Sequence, residues 1–92
     1  MLEYRLDYTP EANEDIKNIK KSGDKSSINK INKLLKELKK HPKTGTGHPE
    51  QLKYRPNCWS RRITKKHRLV YQIKDDVVVV LVLSAFGHYE DN

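Results

Sequence analysis

The sequence predicts an α+β fold: an N-terminal strand, a helical hairpin, then an antiparallel meander sheet with the helices packed on one face. Three observations predict it. Apolar residues alternate at the N-terminus, two stretches carry them at helical spacing, and the second half is a series of short strand-like runs divided by turn residues. The 92 residues read as a single domain over 1–92, large enough to bury one core and with no room for a second.

The first strand is "LEYRLDY", where Leu2, Tyr4, Leu6 and Tyr8 share one face and charged residues the other. Thr9 and Pro10 then start a helix, a hydroxyl able to cap followed by a proline whose fixed φ suits the first turn. Glu11, Glu14 and Asp15 complement the helix dipole, Ala12, Ile16 and Ile19 form the apolar stripe, and Gly23 ends the run. A second helix is expected from Ser26 or Ser27. Its apolar face is Ile28, Ile31, Leu34, Leu35 and Leu38, its polar face is rich in lysine, and His41-Pro42 stops it. The glycine-rich "KTGTGHPE" is a loop. Strands are expected at Gln51–Tyr54, Trp59–Thr64, Arg68–Lys74 and Val77–Leu83, with Asp75-Asp76 as a tight hairpin turn. The valine run lacks alternation, which predicts cover on both faces, as for a central strand.

Nineteen Lys and Arg against 12 Asp and Glu give a net charge of +7. A small domain with that field attracts polyanions, nucleic acid foremost. One cysteine, Cys58, cannot form an internal disulfide, which fits a reducing cytoplasm. No signal-peptide pattern is present at the start, and the valine run is far shorter than the ~20 residues needed to cross a bilayer. No membrane association is expected. Four scattered histidines and a single cysteine show no metal-ligand spacing, so neither metal nor cofactor is expected.

Polar residues able to do chemistry gather in the second half: Glu50, Lys53, Arg61, Arg62, His67, Arg68, His88 and Tyr89. Strand parity sorts some of them. Leu69, Tyr71 and Ile73 share a face that excludes Arg68, and Trp59, Arg61 and Ile63 share one that excludes Arg62. With Ile63 beside Leu69 in the core, Arg62 and Arg68 emerge together on the other side. Two guanidiniums on a rigid sheet make a phosphate site of fixed geometry; the plainer alternative is a solvated basic face.

Three segments, "GTGHPEQLK", "WSRRITKKHRLVYQI" and the C-terminal "GHY", in this order and at these separations, resemble the Txe/YoeB toxins of bacterial toxin–antitoxin pairs, within the wider RelE superfamily. The resemblance extends from the first strand to Tyr89. It implies a RelE-like, microbial-ribonuclease-like fold and an endoribonuclease that cuts mRNA in the ribosomal A site. By the same resemblance Glu50, Arg68, His88 and Tyr89 are catalytic, and Lys53, Arg62 and His67 bind substrate; Arg61, beside Arg62, is expected to bind substrate as well. The chain departs from the pattern in continuing past Tyr89 with Glu90, Asp91 and Asn92. These put negative charge beside a site that receives RNA, yet remove no reagent.

The chemistry agrees. Metal-independent RNA cleavage needs a base for the 2′-hydroxyl proton, cationic donors at the phosphorane and an acid for the 5′-oxygen. Glu50 suits the first role, Arg68 with Arg62 and Lys53 the second, and His88 the third, with Tyr89 stacking on a base or positioning the phosphate. His41 and His48 are expected to be surface residues, Trp59 and Phe86 core or interface, and Cys58 a buried thiol. Two other functions fit parts of the sequence: a gyrase-binding inhibitor of the ParE type, and a non-enzymatic RNA-binding domain. The resemblance further implies a small acidic antitoxin as partner, mRNA and ribosome as targets, and a homodimer.

Overall fold

The computed structural model describes residues 3–85. It contains β1 (Arg5–Tyr8), α1 (Pro10–Lys21), α2 (Lys25–Leu38), β2 (Glu50–Gln51), β3 (Cys58–Arg62), β4 (Arg68–Lys74) and β5 (Val79–Ser84). The strands form one five-stranded sheet in the order β1-β5-β4-β3-β2. β2 to β5 run as the expected antiparallel meander, and β1 joins β5 in parallel. The helical hairpin between β1 and the meander makes this pairing possible, since a parallel neighbour needs a long crossover.

The helices form where residue chemistry asks for them. Thr9 caps α1, its Oγ1 accepting from the Ala12 amide at 3.0 Å, and the same hydroxyl donates to the Leu83 carbonyl at 2.7 Å. One side chain thus starts the helix and fastens it to β5. α2 begins earlier than expected, at Lys25, because Asp24 and not a serine is the cap; its carboxylate accepts from the Ser26 amide and the Ser27 hydroxyl. Gly23 turns between the helices with φ +77°.

Ala12, Ile16 and Ile19 of α1 and Ile31, Leu34 and Leu38 of α2 pack on Leu69, Tyr71, Ile73, Val80 and Val82 of the sheet, with Trp59 and Leu6 at the margin. The helices therefore lie on one face. On the other, Leu52, Cys58 and Val70 form a smaller cluster with Leu83. β5 has neighbours on both edges, and its helix-facing Val80 and Val82 are fully buried, whereas Leu81 and Leu83 stay half-buried. Cover on the second face is thus thinner than the unbroken valine run suggested.

Strand ends differ from expectation for local reasons. β2 is only two residues long: the chain turns at Lys53 and Tyr54 and again at Pro56 and Asn57 (Asn57 φ +62°) before β3 begins at Cys58. The β4–β5 connection is a single 3₁₀ turn, Asp75–Val77, followed by Val78 in the left-handed region (φ +54°), which postpones β5 to Val79. Among the described residues no helix is long and apolar enough to cross a membrane.

Candidate active site

β3 and β4 pair with Arg61 opposite Leu69 and Arg62 opposite Arg68. The expected register, Ile63 opposite Leu69, is off by two residues. An even offset leaves every side chain on its expected face, so Arg62 and Arg68 still emerge together, now as direct cross-strand neighbours. Like charges in that position repel. A carboxylate relieves them: Glu50 of β2 approaches Arg68, Oε1 to Nη1, at 3.3 Å. Glu50 itself pairs with Ser60, two residues before Arg62.

Gly47, His48, Glu50, Arg62 and Arg68 line one cleft of about 250 Å³ on the face away from the helices. Gly47 is held at the rim by its carbonyl, which accepts from the Arg62 amide at 2.6 Å. A Cβ there would press on the Arg62 carbonyl at 3.0 Å, and φ is +86°, so only glycine suits the position. Two guanidiniums and one carboxylate leave the cleft with an excess positive charge, suited to a phosphodiester. The Glu50 side chain is 66% exposed and that of Arg68 30%. An ion pair this open is worth at most about 1 kcal/mol, so an entering phosphate can take the guanidinium from the carboxylate.

The remaining candidates fall elsewhere. Lys53 is exposed in the turn after β2. His67 is on the helix side and lines a different cleft, with Ser22, Asp24, Ser27 and Thr64, apart from the one that holds Glu50 and the two arginines. Arg61 is corrected: it is completely buried, with its Nη1 2.8 Å from Glu37 Oε1, and cannot meet a ligand on the open face. The alternation that turns Trp59 and Ile63 inward turns Arg61 inward too. His88, Tyr89 and Phe86 lie outside the described residues. His48, expected to be ordinary surface, is instead part of the cleft wall; its place two residues before Glu50, across Pro49, was the available signal.

Glu37 secures the loop that leads to this cleft. Partial burial pushes its carboxyl up, but donation from the Thr46 hydroxyl and amide and from Arg61 outweighs this and holds it below the ordinary 4.5. A depressed carboxylate stabilises the fold fully above the unfolded-state value and loses that contribution as pH falls through the folded-state value. Glu37→Gln should therefore lower the melting temperature at pH 7, and the gap to the unaltered protein should narrow as the pH falls below the ordinary 4.5 and through the depressed folded-state value. A gap that stays constant from pH 7 to pH 3 would show that Glu37 ionisation is not linked to folding.

A family model described as YoeB-like toxin of bacterial type II toxin–antitoxin system matches residues 8–89. Toxin YoeB of Escherichia coli K12 is 47% identical over 58 residues, which are 62% of this chain and 69% of that protein. Among solved structures, a YoeB/ParE toxin from Agrobacterium tumefaciens superposes with a TM-score of 0.84 at 34% identity, covering 92% of this chain and 99% of that one. A Staphylococcus aureus relative has been solved as a YoeB dimer (TM-score 0.79, 35% identity, 94% and 98% covered). A heterotetrameric YoeB–YefM toxin–antitoxin complex from S. aureus is similar as well (TM-score 0.76, 36% identity, 94% and 98% covered).

Proposed function

Because the chain belongs to the YoeB-like toxins of bacterial type II toxin–antitoxin systems, we propose that it is a ribosome-dependent endoribonuclease that cuts mRNA in the A site. The single observation carrying this reading is the cleft in which Glu50 meets Arg68 beside Arg62. A base next to a phosphate clamp is the minimum that 2′-hydroxyl attack requires, and a surface that only binds has no use for it.

Glu50 takes the proton of the 2′-hydroxyl as its oxygen attacks the adjacent phosphorus. Arg68 and Arg62 hold the phosphate oxygens as negative charge builds on the phosphorane. The P–O5′ bond breaks, the leaving 5′-oxygen is protonated, and the products are a 2′,3′-cyclic phosphate and a 5′-hydroxyl. The resemblance of "GHY" to the family pattern supports His88 as the proton donor and Tyr89 as a stacking or positioning group. Lys53, exposed after β2, adds positive charge along the approach of the RNA. Before substrate arrives Arg68 occupies Glu50, so phosphate binding both neutralises the guanidinium and frees the base.

An acidic antitoxin segment folding over this basic face would silence it, and the S. aureus toxin–antitoxin complex supports that partnership. The S. aureus dimer supports a homodimeric arrangement here. Mapping 5′ ends of transcripts after induction tests the function. New 5′-hydroxyl ends within translated codons are expected. A block of DNA supercoiling without new ends, or RNA binding without cleavage, would overturn the nuclease reading.

A further inference from the structure

Arg61 has no part in the chemistry above, yet its side chain is fully buried and every N–H of it has an acceptor. A guanidinium has five N–H donors, and five acceptors surround this one. Nε donates to the Tyr71 hydroxyl at 3.0 Å. Nη1 donates to Glu37 Oε1 at 2.8 Å and to the Thr46 carbonyl at 3.4 Å. Nη2 donates to the carbonyls of Thr44, at 2.7 Å, and of His41. Three of these acceptors are backbone carbonyls of one loop, the segment between α2 and β2.

The loop is closed from its other side as well. Tyr71 passes its hydroxyl proton to the Pro42 carbonyl at 2.7 Å; burial raises its pKa, which keeps that proton in place, although Arg61 opposes the shift. Glu37 accepts from the amide and hydroxyl of Thr46, at 2.8 and 2.7 Å. Gly45 has φ +125°, and a Cβ there would overlap the Glu37 carboxylate and crowd Arg61. Immediately beyond, the Gly47 carbonyl meets the Arg62 amide, and Glu50 starts β2 three residues on.

We infer that Arg61 is a positioning residue: its buried guanidinium gathers the 41–46 carbonyls so that Gly47 to Glu50 is laid against β3 where the carboxylate meets Arg68. The inference rests on the proposed nuclease reading for its effect on rate. The adjacent arginines of "SRRI" thus divide the work, Arg62 facing the ligand and Arg61 fixing the loop that brings the base. Lysine cannot replace Arg61, because one ammonium with three donors cannot span acceptors set around a planar fork. Misplacing a catalytic group by about 1 Å can lower a rate on the order of 10²-fold.

The test uses the full chain with Arg61→Lys, Glu37→Gln and Thr46→Val, each shown by circular dichroism to be folded at the assay temperature. Two quantities are measured: amide exchange at Thr46 and Arg62, and cleavage of mRNA on pre-assembled ribosomes. In Arg61→Lys and Glu37→Gln we expect faster exchange at both amides and a kcat about 10–100-fold lower, with KM within about threefold. Ile16→Val, a core change remote from the loop, should lower stability and leave kcat alone. Wild-type kcat in a folded Arg61→Lys or Glu37→Gln, or an equal kcat loss in Ile16→Val, would overturn the positioning role. Should Arg61→Lys not fold, Glu37→Gln and Thr46→Val decide. If the unaltered protein cuts nothing, the nuclease reading fails separately, and unchanged exchange at Thr46 and Arg62 in the variants would still sink the inference.

Discussion

Glu50→Ala is expected to slow cleavage of ribosome-bound mRNA by about 10²–10⁴-fold, the usual loss on removing a general base, with the melting temperature nearly unchanged. The reason for the second half of that expectation lies in exposure. The Glu50 side chain is 66% exposed, and its ion pair with Arg68 spans 3.3 Å at the surface, so its removal takes away at most about 1 kcal/mol of stability. Arg68→Ala should lose on the order of 10²–10³ in kcat, as when a preorganised donor to developing charge is deleted. Lys39→Ala, on the exposed side of the α2 C-terminus, should change the chemical step little. Single-turnover kinetics with growth rescue in cells would measure all three. An Glu50→Ala variant as fast as the unaltered protein would remove Glu50 as the base.

The second large effect comes from the substrate. An mRNA with a single 2′-deoxy nucleotide just 5′ of the scissile bond should occupy the A site and resist cutting, while the all-ribose control is cut. The attacking oxygen is absent, and Glu50 has no proton to take. The arginine clamp reads only phosphate, so binding should be unaffected. A pre-assembled ribosomal complex is the substrate of choice, because ribosome integrity then does not vary between the two RNAs. Normal cleavage of the deoxy substrate would make water the nucleophile and overturn the roles of Glu50 and of the leaving-group acid together.

Legibility in the sequence followed the range of the interactions. Thr9-Pro10 starting α1 and the apolar spacing of Ile31, Leu34 and Leu38 depend on neighbours within two turns, and both stand as read. α2 starts one or two residues before the expected Ser26 or Ser27, because Asp24, Ser26 and Ser27 are all competent caps and geometry chose the aspartate. Arg62 and Arg68 on one face followed from parity alone, since a period of two survives the two-residue error in register. The same parity pointed Arg61 inward, against the expectation that it would join them at the substrate.

By itself, then, the sequence determined the α+β order of elements, the faces of the two helices and of β3 and β4, and the family to which the chain belongs. Each is set by short-range periodicity or by residues in fixed order along the chain. Only the tertiary structure decided that β1 pairs in parallel with β5, that Glu50 reaches Arg68 across 18 positions, and that His67 faces the helices. It also decided that Arg61 is buried against Glu37 and three carbonyls of a distant loop. A guanidinium goes inside only where enough acceptors converge to replace its water. That convergence is supplied by a helix, a loop and a strand that meet only once the sheet has formed.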